Sequence, residues 1–165
     1  LSDLLRLVLS QATRPWSSVR EELRFLQLYL DLQQMRFGDR LSFEQAIAPE
    51  VLDCAIPSLL LQPLVENALR HGLEPAGRPG TVRVLGRRDG GAVELKVADD
   101  GVGCPALVRG TAQPGVGLTN VRERLRTMFD QGASLSFAAG ETGGLVACVR
   151  LPAIDAPSRK EPPNA

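Results

Sequence analysis

The sequence predicts an α+β fold in which a mostly antiparallel sheet carries helices on one face. Alternating apolar residues occur in two hairpin-linked pairs of segments, within 81–98 and 134–151, with helical segments before the first pair and one helix between the pairs. A doubly wound parallel sheet would need a helix inside each pair, and both pairs lack one. With 165 residues, 44% of them apolar and 23% charged, the chain can bury a core of ordinary size.

Two amphipathic helices are predicted before the first strand. The first covers residues 1–11, where apolar residues recur with helical spacing. The second begins after a capping serine, Ser17 or Ser18, has glutamates in its first turn, where the helix dipole favours anions, and ends near Arg36. Such a pair either packs in the core or forms a dimer or linker element ahead of a catalytic domain, because an amphipathic stripe does not specify what covers it.

A strand at 41–47 precedes the most unusual stretch of the chain, 57–72, which reads PSLLLQPLVENALRHG. Its apolar spacing predicts a buried helix. Pro57 suits the first turn, whereas Pro63 near the middle is expected to kink the helix or leave a carbonyl unpaired. Four polar residues end the apolar run: Glu66, Asn67, Arg70 and His71. Polar side chains on a buried helix indicate a site built on a rigid element.

Four more strands and one more helix are predicted downstream. The strands are 81–87, 92–98, 134–138 and 145–151. Asp89-Gly90-Gly91 is a typical hairpin turn between the first two strands. A glycine-rich segment, 99–117, leads into a helix at 118–129, and the polar, proline-rich chain from Pro152 onward is expected to be disordered.

The composition argues against several classes of function. The formal net charge is zero and aromatic residues make up 4%, which disfavours nucleic-acid binding. No run approaches the ~20 apolar residues of a membrane span. Three scattered cysteines, Cys54, Cys104 and Cys148, favour a reducing compartment over a disulfide framework. Because the chain opens within a helical pattern and lacks an initiator Met, we expect a fragment of a longer protein.

Three features in a fixed order point to a nucleotide site. Asn67 and Glu66 lie on the buried helix, the segment 99–103 (DDGVG) follows a strand, and 115–118 (GVGL) opens a helix. Glycines at a helix start leave backbone N–H groups free for phosphate oxygens. A carboxylate at a strand end can accept from an exocyclic amine, and an amide oxygen suits Mg²⁺. Each piece alone is commonly a turn, a cap or a satisfied amide, so their order carries the prediction.

These residues also resemble a known superfamily. LLLQPLVENALRHG resembles the N box of the GHKL ATPases, which include DNA gyrase, a heat-shock chaperone, histidine kinases and MutL. VADDGVG resembles the G1 box and GVGLTNVRERL the G2 box. The upstream run ELRFLQLYLDLQQMRFGDRLSFEQAI is similar to LytS-type (YehU-type) sensor histidine kinases. The resemblance covers about residues 4–151 and implies the two-layer α/β sandwich of the GHKL (Bergerat) type, preceded by a helical segment.

The resemblance implies roles for individual residues. Asn67 would coordinate the Mg²⁺ bound to ATP, and Asp99 would accept a hydrogen bond from the adenine amino group. Gly101 and Gly103 would let the purine approach, and 103–115 would form a short lid over ATP. The other positions expected at the nucleotide are Arg70, His71, Gly115, Val116, Gly117, Leu118 and Asn120. Glu66 and Asn67 are the catalytic candidates.

Two positions depart from the family pattern. Asp100 stands where Asn is common, which is expected to add negative charge near the nucleotide. Pro63 stands one helical turn before Asn67, where ATP-hydrolysing relatives keep a glutamate as general base. A proline there disfavours an ATPase. Together with the RFGDRL segment, it also disfavours a serine kinase that acts on an anti-sigma-type partner.

The function implied is that of the ATP-binding catalytic domain of a two-component sensor histidine kinase. The γ-phosphate would pass to a histidine outside this chain, for relay to a response regulator, because the one histidine here, His71, lies in the N box. Residues 1–38 would end a helical dimerisation region, 39–152 would form the catalytic domain, and 153–165 a disordered tail.

The complete protein is expected to be a homodimer anchored in the bacterial plasma membrane, with this domain in the cytoplasm and no nucleic-acid partner. The alternative is a degenerate GHKL module that serves as a dimerisation or docking scaffold with little turnover. Asp100 and the missing acceptor histidine motivate that alternative.

Overall fold

A mixed five-stranded sheet organises the computed structural model, which describes residues 14–155. In chain order the strands are β1 (Trp16–Ser18), β2 (Leu41–Ile47), β3 (Ala55–Pro57), β4 (Gly80–Asp89), β5 (Ala92–Asp99), β6 (Ser134–Ala139) and β7 (Leu145–Pro152). The main sheet has the order β2-β4-β5-β7-β6, and β1 pairs with β3 separately. β2 runs parallel to β4, and the other neighbours are antiparallel. Both predicted hairpins are thereby confirmed.

The helices cover one face of this sheet. They are α1 (Val19–Phe37), α2 (Leu61–Asn67), α3 (Glu74–Ala76), α4 (Pro105–Val108) and α5 (Val116–Phe129). A π-helical segment, Ala68–Leu73, joins α2 to α3 without a break. Within residues 14–155 no helix is both long enough and apolar enough to cross a membrane.

Strand alternation separates a buried face of the sheet from an open one. On β5, Val93, Leu95 and Val97 are buried beneath the helices, and the residues between them face outward. The open face carries ion pairs. Arg83 with Glu44 and Arg87 with Glu94 link neighbouring strands, Lys96 pairs with Glu94 along β5, and Arg150 of β7 pairs with Asp89 at the end of β4. The predicted α+β class with helices on one face is therefore confirmed.

Helix α1 packs into the same core as the sheet. Ser18, one of the two serines predicted as the cap, caps this helix and forms a capping box with Glu21. Its side chains Leu26 and Leu30 are buried in the cluster that contains the strand residues. The helix is therefore a core element over the described residues, and the division of the chain at residue 38 stays a prediction. The helix expected at 1–11 lies outside the described residues.

The start of α2 differs from the sequence-based expectation. Pro57 ends β3, and the helix begins four residues later at Leu61. Pro63 consequently lies in the first turn, where a missing N–H breaks no helical hydrogen bond. The expectation of a mid-helix kink at Pro63 is therefore wrong. The helix is irregular further on, in the π-helical segment Ala68–Leu73. After β7, the Ile154 carbonyl accepts from the Ala55 N–H at 2.6 Å, and the tail beyond residue 155 lies outside the described residues.

Candidate functional site

A cavity of about 340 Å³ lies where the end of α2 meets the end of β5. The glycine-rich segment between β5 and α5, with α4 inside it, forms the remaining wall. The lining residues are Asn67, His71, Gly72, Asp99, Gly103, Cys104, Leu107, Ala112, Gln113, Gly115 and Leu145. One carboxylate, two amides and one imidazole thus line a mostly apolar space, which suits a flat ring with a polar edge.

A second cavity, of about 260 Å³, adjoins the first between α2 and the start of α5. It is lined by Pro63, Glu66, Asn67, Arg70, His71, Gly115, Val116, Gly117 and Leu118. Asn67, His71 and Gly115 line both cavities. An elongated ligand can therefore occupy both spaces, with one end against Asp99 and the other against the start of α5.

Asp99 ends β5 and is 5% exposed. Its Oδ1 accepts from the Gly101 N–H at 2.9 Å. Burial raises the pKa of this carboxyl group, the backbone donors of Gly101 and Leu145 oppose that rise, and the nearby Asp100 adds to it. The group is a buried acceptor held by the backbone at the wall of the cavity.

Close backbone contacts around Asp99 require glycine. A Cβ built on Gly101 would lie 2.1 Å from the Gly72 carbonyl oxygen, and one on Gly144 would lie 1.9 Å from that of Asp99. Gly101 does not line either cavity, so its closest approach is to Gly72. Gly103, with a φ of +71°, does line the first cavity.

Asp100 is directed elsewhere. Its Oδ1 accepts from the Thr81 N–H at 2.8 Å, at the start of β4, and the residue lines neither cavity. Its negative charge raises the pKa of Asp99, but by less than burial does. The expectation that Asp100 places negative charge beside the ligand therefore finds little support in the geometry.

The polar residues at the end of α2 face the junction of the cavities. The half-buried Asn67 amide has no hydrogen-bond partner among residues 14–155. Glu66 is exposed and accepts from the Gln62 side chain at 2.9 Å. Arg70 and His71 lie on the π-helical segment, an irregularity that often marks functional sites. These four residues line the second cavity as a group.

The first turn of α5 forms the opposite wall. Among the residues that the structure describes, no side chain caps this helix at Gly115, so its first backbone N–H groups remain available to a ligand. Together with the helix dipole they make this end of the second cavity attractive to anions. Asn120, which the sequence predicts at the nucleotide, is exposed and lines neither cavity.

Sequence reasoning missed several lining residues. Leu107, Ala112 and Gln113 fall within the predicted lid but have no distinctive motif. Gly72 and Leu145 belong to a helix end and a strand start, and only the fold brings them to Asp99. For Gly72, the only signal in the sequence was its place as the last residue of the N-box-like stretch.

Comparisons with known proteins bear on this geometry. The family model of histidine kinase-, DNA gyrase B-, and HSP90-like ATPases matches residues 55–155, and the histidine kinase model matches residues 1–41. Sensor histidine kinase YesM of Bacillus subtilis (strain 168) is 35% identical over 136 residues, which are 82% of this chain and 24% of YesM. Sensor protein LytS of Oceanobacillus iheyensis is 29% identical over 157 residues, which are 88% of this chain and 27% of LytS. The chain spans about a quarter of these relatives.

A solved structure shares the fold. Histidine kinase ThkA, in complex with response regulator protein TrrA, matches with a TM-score of 0.63 at 16% identity. The match covers 92% of this chain and 47% of that chain. The likeness extends over α1 as well as the sheet and the helices around it.

Proposed function

Because the chain belongs to the family of histidine kinase-, DNA gyrase B-, and HSP90-like ATPases, we propose that its two adjoining cavities bind ATP. The resemblance of its motifs to LytS-type sensor histidine kinases is confirmed by the relatives YesM and LytS. Adenine would occupy the cavity at Asp99, and the phosphates would reach the start of α5. The observation that carries the proposal is the buried carboxylate of Asp99 in a mostly apolar cavity.

Asp99 would select adenine through hydrogen bonding. The 6-amino group of adenine is a donor, which a buried carboxylate oxygen can accept. Guanine carries a carbonyl oxygen at the same position, and two acceptors facing each other in a desolvated site are unfavourable. We therefore expect this chain to bind ATP more tightly than GTP.

The phosphate half would rest on backbone and amide groups. The uncapped N–H groups at the start of α5 and the Arg70 guanidinium would meet the phosphate oxygens. The Asn67 amide, which has no hydrogen-bond partner within the described chain, would offer its oxygen as a ligand to a magnesium ion that accompanies ATP. Such an ion supplies charge neutralisation during phosphoryl transfer.

In the complete protein this domain would transfer the γ-phosphate of ATP to a histidine outside the chain. Pro63 lines the second cavity where hydrolysing relatives keep a general base, so water is not activated from that position. Relay to a response regulator is supported by the ThkA–TrrA complex. The complete protein would be a homodimer anchored in a membrane, with this domain in the cytoplasm.

The scaffold alternative has less support. One of its two motives is Asp100, and that carboxylate accepts from the start of β4 and lines neither cavity. The other motive, the missing acceptor histidine, concerns the part of the protein outside this chain. A complete protein incubated with labelled ATP separates the two functions. Acid-labile, alkali-stable label on the protein supports the kinase, whereas an unlabelled protein supports the scaffold.

Nucleotide binding is tested by isothermal titration of the 165-residue chain with a non-hydrolysable ATP analogue and Mg²⁺, and with the matching GTP analogue. Asp99→Asn should abolish the preference for adenine. Asp53→Asn is the control, because Asp53 is exposed and pairs with Arg20 away from the cavities. No binding at millimolar analogue, or equal binding by Asp99→Asn, would overturn the proposal.

A further inference from the structure

The turn that precedes α2 is held by groups outside it. Leu59 has a φ of +57°, a left-handed conformation that is unfavourable for leucine. Leu60 occupies the N-cap position, where its side chain cannot bond to the helix, and the buried Ser58 hydroxyl has no partner within the described chain. The turn and the start of α2 therefore depend on other elements for their conformation.

Glu22 of α1 supplies the missing cap. It is 0% exposed, and its carboxylate accepts from the Leu59 N–H at 2.7 Å and the Leu61 N–H at 3.1 Å. The Ser17 hydroxyl donates to the same carboxylate at 3.0 Å. Burial raises the pKa of this group and the donors lower it. An acceptor that bonds to the Leu59 N–H of the turn and to the first N–H of α2 fixes where that helix begins.

Arg124 of α5 reaches the same turn from the other side. Its guanidinium donates to the Ser58 carbonyl. Further along, the two helices approach each other, since a Cβ on Gly117 would lie 3.7 Å from the Pro63 side chain. One turn thus ties together α2, which carries Asn67, and α5, whose first turn forms the opposite wall of the second cavity.

We infer that Glu22 and Arg124 are positioning residues for the phosphate half of the site. They fix the separation between Asn67 and the start of α5, so that affinity for phosphates depends on them while affinity for adenosine at Asp99 does not. The inference rests on the proposed nucleotide function. Because Glu22 belongs to α1, a displacement of α1 reaches the phosphate cavity through this residue.

The test compares two ligands on the 165-residue chain by isothermal titration: adenosine, and a non-hydrolysable ATP analogue with Mg²⁺. Arg124→Gln and Glu22→Gln should each weaken binding of the ATP analogue by about tenfold, within the usual range of coupling between sites. Adenosine binding should not change. Arg124→Lys keeps a donor and should restore most of the loss. Arg122→Gln, on the same helix, and Glu50→Gln, an exposed carboxylate, are the controls.

Each pattern of results has a defined meaning. Equal weakening of both ligands indicates a general structural role and overturns the inference, as does unchanged binding of both. A wild-type chain that binds neither ligand overturns the proposed function, and the inference with it. Arg124 is exposed, so its variants are expected to fold and decide the outcome even if Glu22→Gln does not fold.

Discussion

The Cα atom of Gly72 faces the carboxylate of Asp99 so closely that a Cβ on Gly72 would lie 2.4 Å from Asp99 Oδ1. The residue that ends the N-box-like stretch is therefore in direct contact with the acceptor proposed for adenine. The half of the site proposed for adenine is therefore expected to depend on this contact as well as on Asp99.

Gly72→Ala should displace the Asp99 carboxylate. We expect adenosine binding to be lost and the free energy of unfolding to fall by about 1–3 kcal/mol, the usual range for overpacking a buried position. Urea unfolding and titration with adenosine measure the two effects. Gly91→Ala is the matched control, because a Cβ there meets nothing within 4 Å. Full adenosine affinity in Gly72→Ala would contradict the prediction.

Asp99→Asn should change how stability depends on pH. Burial raises the pKa of Asp99 in the folded state, so this group's contribution to stability is complete below its unfolded pKa of about 3.9 and is lost as pH rises through its folded pKa. The variant lacks that loss. Its stability relative to wild type should therefore increase with pH over this window and then level off, as measured by urea unfolding between about pH 4 and 7.

Asp53→Asn is a control in which the pH dependence of stability should have the opposite sign. Arg20 lowers the pKa of Asp53, so the stability from this pair is present above the unfolded pKa and is lost as pH falls through the folded pKa. A pH-independent difference between Asp99→Asn and wild type would contradict the role given to burial.

Asp100→Asn should leave nucleotide affinity unchanged, because the Asp100 carboxylate bonds to the Thr81 N–H and lines neither cavity. An amide oxygen can accept the same bond. Asp100→Ala removes the acceptor and should lower the free energy of unfolding by about 1 kcal/mol without altering affinity. Titration and urea unfolding test both variants. Binding that tightens tenfold in Asp100→Asn would show that the charge does act at the nucleotide.

ATP should slow modification of Cys104, since this half-buried thiol lines the first cavity. Cys148 is also half-buried but lies on β7 outside both cavities, so its rate should not respond to nucleotide. Site-resolved mass spectrometry after a thiol reagent measures both rates in one sample. Equal protection of the two cysteines would point to general stabilisation, and no protection of Cys104 would mean that bound ATP does not cover it.

The elements of the fold were predictable because their signals are local. Alternation along β5 and the Ser18–Glu21 capping box both depend on residues a few positions apart. The start of α2 was not predictable in this way. Pro57 suits a helical first turn locally, but the helix begins where Glu22 caps it, from 39 residues away along the chain.

The site residues likewise fall into those that local motifs predict and those that only the fold determines. The order of Asn67, Asp99 and the glycine-rich helix start was sufficient to predict one shared site, and these residues do line the adjoining cavities. Gly101 and Asn120 were assigned by motif alone. Gly101 instead packs on Gly72, and Asn120 faces solvent, because the path of the chain between motifs decides which residues reach the cavity.

Helix α1 contacts the continuous helical segment 61–76 at two places. Near the start of α1, Glu22 caps α2, and near its end Arg36 pairs with Glu74 of α3 at 2.7 Å. A chain that begins at residue 39 would lose both contacts. It would also lose β1, the strand that pairs with β3. The smallest unit expected to fold therefore begins before Trp16. A chimera that grafts a different sensory region onto this domain should place its junction upstream of that residue.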